Sequence, residues 1–319
     1  MDRAEPLSFP ASPQALLRSR AIARAALLCL LLAMFTALAT AGTVVDATGE
    51  KVSVTSTRRI VTLGSDVTEI VYALGAGDRI VARDRGSKFP AATSSKPDVG
   101  YRRKLSAEGV AGLSPDLIIS AEDIGPPDAV DVLNALAVPI VLVPEDNSPQ
   151  GIVRKITLIA EMLGKPDEGK ALAAKVTKEF DAAASLAAKV APANRKKVIF
   201  FHGLIKLTAA GSGTSADAII GYAGGINPMR EVNGYKAASE EKLVEMAPDV
   251  ILMMGDGNGG PTPEQVFSIP ALSTTPAAAN RALVVLEGAY MIGFGPRTAD
   301  AVRDLAEALY PGEAGTPAN

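Results

Sequence analysis

Ser106-Ala-Glu108-Gly-Val-Ala-Gly-Leu-Ser-Pro115-Asp116-Leu-Ile-Ile119 returns as Ser239-Glu-Glu241-Lys-Leu-Val-Glu-Met-Ala-Pro248-Asp249-Val-Ile-Leu252, 133 positions later at every matched residue. Each copy places a serine, a glutamate and apolar residues at helical spacing before Pro-Asp and a short apolar run, a pattern that reads as helix, turn and buried strand. Pro-Asp before a strand is ordinary turn chemistry, and one copy alone says little. Two copies in fixed register imply a chain of two similar α/β lobes. Pockets form preferentially at domain interfaces, so function is expected at the seam.

Working outward, residues 43–54 read as a hairpin broken at Ala47-Thr48-Gly49. Arg59–Leu63, Ile80–Ala82, Leu117–Ile119 and Pro139–Val143 are short apolar runs separated by helical stretches, the first followed by a helix from Val67 to Leu74. That alternation predicts parallel βα units. Between Gly151 and Ala191 there is almost no strand signal, and Lys170–Val190 carries neither Gly nor Pro, so it is expected to form one long helix. A second series then starts at Lys197–Phe201, continues through a helix at Ser215–Tyr222 and the second repeat to Leu283–Leu286, and ends in a helix at Thr298–Leu309. The predicted fold is α/β, with two similar Rossmann-like lobes joined by one long helix and a ligand cleft between them. The expected boundaries are a leader at 1–41, an N-terminal lobe at 42–150, a linking helical segment at 151–194 and a C-terminal lobe at 195–319. A helical link absorbs little dihedral change, so the cleft is expected to be largely preformed.

Composition narrows the partners. Arg18, Arg20 and Arg24 precede an uncharged run from Ala25 to Ala39, and Ala39-Thr40-Ala41 offers a small-x-small cleavage site. The run is short of the roughly 20 residues that span a bilayer, so it reads as a signal peptide cut after Ala41. The single cysteine, Cys29, falls inside it, behind Leu28 rather than a small residue. A mature chain without thiol excludes disulfides, cysteine nucleophiles and iron–sulfur clusters. It carries 28 Lys and Arg against 33 Asp and Glu, a net charge of −5 in place of −3. A mildly acidic export product is a poor partner for nucleic acid.

His202 is the only histidine, which rules out sites built from several imidazoles and any triad using another histidine. It stands at a predicted strand end, where α/β sheets place ligands, and reads equally as a ligand or as a histidine bonded to backbone. Gly100-Tyr101-Arg102-Arg103-Lys104 sets a phenol among three cations on a loop. Adjacent cations favour phenolate, a hard anionic oxygen suited to ferric iron, and tyrosine serves as an axial ligand of haem; charge pattern alone favours a solvated basic loop. Gly255-Asp-Gly-Asn-Gly-Gly260 lacks the Gly-Lys-Ser/Thr of a phosphate loop, and Gly64-Ser65-Asp66 lacks the flanks of a nucleophile elbow. No carboxylate pair announces general acid–base chemistry.

Together with Gly100-Tyr101-Arg102-Arg103-Lys104-Leu105-Ser106-Ala107-Glu108-Gly109, the strings Gly224-Gly225-Ile226-Asn227, Gly234-Tyr235-Lys236 and Gly293-Phe294-Gly295-Pro296-Arg297-Thr298 resemble the periplasmic haemin-binding proteins of bacterial haem ABC importers. The similarity runs from about Arg59 to Leu309, and the helix-linked bilobal fold is shared with cobalamin and siderophore carriers. The resemblance implies ferric haem as the transported ligand and Tyr101 as its axial metal ligand, with Arg103 hydrogen-bonded to the phenolate. It places His202 where some members carry a second metal ligand, for a single clamped haem or a stacked pair. Tyr290 and Met291, in a loop after the last strand, and Arg297 behind it are implied as cleft neighbours, though Arg297 could also serve the last helix. Glu108 and Glu241 would meet arginines of the permease dimer, itself partnered by an ATPase, with an outer-membrane haem receptor upstream. A capping-box role fits them less well, because each lies only two residues after its serine.

One departure stands out. Where many relatives carry an arginine after the strand at Val250–Met253, this chain has the glycine-rich 255–260 stretch, so Arg85, Lys88 or Arg102 would have to substitute as partners for haem propionates, or the propionates would face water. The alternatives are a siderophore or cobalamin carrier, or a secreted enzyme using His202 as base. The enzyme needs a hydrogen-bonded partner for that imidazole, and no sequence pattern supplies one.

Overall fold

The computed structural model describes residues 42–256 and 259–312, so the leader expected at 1–41, with Cys29, lies outside the described residues. Strands β1 (Gly42–Val45) and β2 (Lys51–Val54) form the antiparallel N-terminal hairpin. The first lobe is built on β3 (Ile60–Leu63), β4 (Ile80–Arg83), β5 (Leu117–Ala121) and β6 (Ile140–Val143), all parallel in the order β4-β3-β5-β6. Helices α1 (Ser65–Ala73), α2 (Ala107–Ala111) and α3 (Pro127–Ala135) connect them. Strands β3 and β5 are buried along their whole length, which is why they read as continuous apolar runs rather than alternating ones.

The predicted single long helix is the second arm of a helical hairpin. Helix α4 (Pro149–Met162) starts at Ser148, whose hydroxyl accepts from the Gly151 N–H (3.0 Å), and α5 runs from Pro166 to Ala188. Val176, Phe180, Ala183 and Ala187 form the buried stripe of α5. The two arms touch at Gly169, where an added Cβ would lie 2.4 Å from that of Ala160, so only glycine permits this approach.

The second lobe contains β7 (Val198–Phe201), β8 (Thr208–Ala210), β9 (Tyr235–Ala237), β10 (Val250–Gly255) and β11 (Leu283–Glu287) in the order β11-β10-β7-β8-β9. The first three are parallel; β8 and β9 are antiparallel additions. Its helices are α6 (Ser215–Tyr222), α7 (Glu240–Met246), the short α8 (Pro263–Phe267), α9 (Pro270–Ser273) and α10 (Pro276–Ala279), then α11 (Gly288–Ile292) and α12 (Thr298–Leu309).

The sequence repeat is a repeat of hydrogen bonds. Ser106 and Ser239 cap α2 and α7 by accepting from the Gly109 and Lys242 N–H groups. Both copies then pass through a left-handed residue, Ser114 (φ 47°) and Ala247 (φ 45°), before Pro-Asp. Asp116 and Asp249 each accept from the backbone N–H that opens the neighbouring strand, Arg59 at 2.9 Å and Lys197 at 2.7 Å, and so pin β5 to β3 and β10 to β7.

One hydrophobic core joins the lobes. Ile70 and Val71 of α1, Ile152 and Ile156 of α4, Phe180 of α5, and Val302 and Leu305 of α12 belong to the same buried cluster, while the far face of each sheet has its own smaller one. Sharing a core fixes the lobes against each other, because packed interiors do not deform continuously. Among the described residues no helix is long and apolar enough to cross a membrane.

Candidate ligand-binding cleft

The carboxyl ends of β3, β4, β6, β7, β10 and β11 converge on a cavity of about 1280 Å³ between the lobes. This is the end at which open α/β sheets bind ligands.

Tyr101 stands on the N-lobe wall. Past β4 the chain returns along the sheet edge, where Val99 N–H donates to the Arg83 carbonyl (3.1 Å) and Arg85 N–H to the Gly100 carbonyl (2.8 Å). Gly100 then turns with φ 93°, a left-handed value that glycine adopts without steric cost, and delivers Tyr101 into the cavity with 38% of its surface exposed. Arg103 donates through Nη1 to the Tyr101 phenolic oxygen and pairs through Nη2 with Asp123, just past β5. Arg102 grips the same carboxylate with Nε and Nη2, the latter at 2.9 Å, and approaches Glu145 at 3.8 Å. Burial works against charge on Asp123, yet the hydrogen bond from Arg102 and the charges of Arg102 and Arg103 hold its carboxyl below the usual range. One carboxylate therefore orders two guanidiniums, and one of those orients the phenol.

The C-lobe wall is the β7–β8 hairpin. His202 follows β7, donates its backbone N–H to the Thr208 carbonyl (3.1 Å) and leaves its ring exposed in the cavity. Tyr235, at the start of β9, meets that ring edge to face with centroids 6.2 Å apart. The structure thus brings Tyr101, Arg103 and His202 to one cavity from both lobes.

The floor is sewn across the lobes. Lys155 of α4, 3% exposed at its side chain, pairs with Asp66 of α1 and donates to the Phe294 carbonyl at 3.2 Å. Arg297 makes a two-pronged pair with Glu69 of α1 at 2.9 and 2.5 Å.

Three implied cleft neighbours do not line the cavity, and the reason is local. Residues 288–292 form α11 rather than a loop, so successive side chains point in different directions. Gly288, Ala289 and Ile292 face the cavity, whereas Met291 is fully buried in the shared core. Tyr290 turns to α12, donates to Asp304 (2.7 Å), and is pushed well above the usual phenol range by burial and by that carboxylate. Arg297 is committed to Glu69 and lies over the Phe89 ring at 3.8 Å.

Glu108 and Glu241 occupy the first turns of α2 and α7, exposed and without an ion pair among the described residues. The sequence assigned no site role to Asp123 or to Tyr235, the latter standing only within one of the strings that carry the family resemblance. Asp123 was within reach of the strand-end rule, since it lies two residues past β5; Tyr235 sits on a three-residue strand too short for any periodicity to show. Among the described residues no group of three or more His, Cys, Asp or Glu could hold a bare metal ion.

Residues 60–290 match the family described as "Periplasmic binding protein". The chain belongs to the periplasmic binding protein family. Within it, the chain is 36% identical to the periplasmic heme-binding protein RhuT from Roseiflexus sp. RS-1 in apo form, over 82% of this chain and 100% of that one, with a TM-score of 0.75. It is 33% identical to the periplasmic heme-binding protein BhuT in complex with two hemes, over 79% and 98% of the two chains, with a TM-score of 0.73. For the periplasmic heme-binding protein HutB of Vibrio cholerae the identity is 33%, over 80% and 100%, with a TM-score of 0.71. Curated relatives include a vitamin B12-binding protein of Vibrio campbellii, 25% identical over 67% of this chain and 78% of its own length. Another is the uncharacterized ABC transporter substrate-binding lipoprotein YvrC of Bacillus subtilis (strain 168), 23% identical over 84% and 85%.

Proposed function

We propose that this periplasmic binding protein holds ferric haem between its lobes and delivers it to an ABC permease driven by its ATPase. The observation that carries the reading is the pairing of Tyr101, its oxygen bonded to Arg103, with His202 across one interlobe cavity. Haem is a flat, largely apolar ring, and Leu204, Ile205, Met254, Ile292 and Phe294 supply apolar wall against it. A guanidinium has donors and no lone pair for a metal, so Arg103 occupies one face of the phenolic oxygen and leaves the other to iron. The lobes need little motion to receive the ring, because core and floor contacts already hold them in place.

Export by the leader at 1–41 would place the protein in the periplasm, with haem arriving from an outer-membrane receptor. Glu108 and Glu241, one on each lobe in equivalent helices, suit docking on a two-fold permease that presents one cation to each. Relatives that bind vitamin B12 make cobalamin the second reading. For an enzyme, His202 would need a hydrogen-bonded side-chain partner, and among the described residues its ring meets Tyr235 alone.

Titration with haemin followed by absorption tests the function. A saturable ferric spectrum with a stoichiometry of one or two, lost in Tyr101→Phe, is the expected result. Binding of cyanocobalamin in preference to haemin would overturn it.

A further inference from the structure

The cations on the cavity wall differ in how far the protein itself neutralises them. Lys155 is buried against Asp66 and the Phe294 carbonyl. Arg102 is held by Asp123 beside Glu145, and Arg103 shares Asp123 while donating to Tyr101. Arg85 and Lys88 stand apart from these on the first lobe, the lobe that carries Tyr101; on the opposite wall Lys206 is exposed and has no ion pair among the described residues, and it serves as the control cation. The Arg85 side chain is 70% exposed and, among the described residues, pairs with Asp98 alone, at 3.6 Å, a carboxylate that already serves Arg83 at 3.3 Å. Lys88 reaches across the mouth from the first lobe to the second and donates to the Asp256 carbonyl at 3.0 Å, with no ion pair of its own within 4 Å among the described residues.

These two cations ride on a rigid loop. Asp84, fully buried, accepts from the Gly64 N–H (3.1 Å) and the Ser87 hydroxyl (2.5 Å) with one oxygen and from the Gly86 N–H (3.1 Å) with the other. The Ser87 hydroxyl in turn touches that of Thr68 on α1 at 2.7 Å. A buried carboxylate so fully satisfied fixes the backbone at residues 84–87, and the backbone bond from Arg85 to Gly100 ties the loop to the segment that carries Tyr101.

We infer that Arg85 and Lys88 form a carboxylate-recognition rim, which receives the two propionates of a porphyrin whose iron is held at Tyr101. The inference rests on the haem reading and adds to it the group that selects the ligand. Lys88 exchanges the Asp256 carbonyl for a propionate as the ligand enters. Arg102, the third candidate for this task, is excluded because its guanidinium is already gripped by Asp123. The rim also favours a dicarboxylate porphyrin over a macrocycle whose side chains are neutral amides or esters, which separates haem from cobalamin chemically.

The test compares haemin with haemin dimethyl ester on the full mature protein, by Soret titration of wild type, Arg85→Gln, Lys88→Gln, the double variant and Lys206→Gln. Wild type is expected to prefer haemin, by about tenfold for each carboxylate that gains a charge-assisted hydrogen bond. The double variant should lose that preference by weakening haemin alone, with unchanged ester affinity, an unchanged spectrum and an unchanged melting temperature. Retention of the preference in the double variant, or its loss in Lys206→Gln instead, would overturn the rim. Equal binding of both ligands by wild type, with a spectrum that depends on Tyr101, would leave haem binding intact and sink the rim. Binding of neither would sink both.

Discussion

The two lobes repeat one another at one end of their sheets and differ at the other. Where β5 and β10 begin, the same capped helix, left-handed residue and aspartate clamp recur. Where the strands end, the first lobe offers a phenol ordered by guanidiniums and carboxylates, and the second an imidazole on an antiparallel hairpin packed by an aromatic ring. A sheet's starting end has only to be pinned, so one solution serves twice; its carboxyl end faces the ligand, and two different walls bind an asymmetric guest better than two equal ones. Under the proposed function, the same division would separate a symmetric surface for a two-fold permease from an asymmetric cleft for haem.

The symmetric half can be broken most completely. Glu108→Ala with Glu241→Ala is expected to reduce haem transfer into permease-containing liposomes to background, while haemin titrates as in wild type and each single variant loses a similar share. Unequal single effects would show that the lobes dock differently. On the asymmetric side, Tyr101→Phe should weaken haemin binding by more than the roughly 10–100-fold that loss of a ligand's supporting partner costs. Its melting temperature should not change, since among the described residues the phenol oxygen bonds to Arg103 alone.

The floor between the lobes gives the next effect. Arg297→Gln strands the buried Glu69 carboxylate and is expected to cost about 3 kcal/mol in urea unfolding at neutral pH. Burial already pushes the Glu69 carboxyl above its ordinary value, and Arg297 pulls it back; without Arg297 it rises further. With the folded value above the unfolded one, the native state keeps a proton that the unfolded chain releases. The stability of the variant therefore climbs as pH falls through the folded value, and its deficit shrinks on acidification. A deficit independent of pH would mean that Arg297 contributes packing over Phe89 rather than charge. His202→Ala should have the smallest effect, a change of spin state or of haem-to-protein ratio with the Tyr101-dependent band retained. Identical spectra and stoichiometry would assign the imidazole to the hairpin alone.

Most of the fold was legible because it follows from local rules. Apolar runs became β3, β5, β7 and β10, and Ser215–Tyr222 and Thr298–Leu309 became helices over the expected residues. Helix α4 was passed over although Ser148-Pro149 is a start signal, because the long Gly-free stretch after it dominated the reading. Within the cleft, Tyr101 and Arg103 were legible as neighbours two residues apart. The misplacement of Tyr290 and Met291 came from taking a five-residue helix for a loop, and at that length helical periodicity has no room to appear.

By itself the sequence determined that the chain has two related lobes, that one tyrosine stands among cations, and that one histidine stands alone, since each of these lies within a few residues or in a fixed repeat. Only the tertiary structure decided which cations the protein itself claims. Asp123 claims Arg102 and Arg103, Asp66 claims Lys155 from 89 positions away, and Glu69 claims Arg297 from 228. An ion pair depends on distance in space, and the chain sets that distance only after its core has packed.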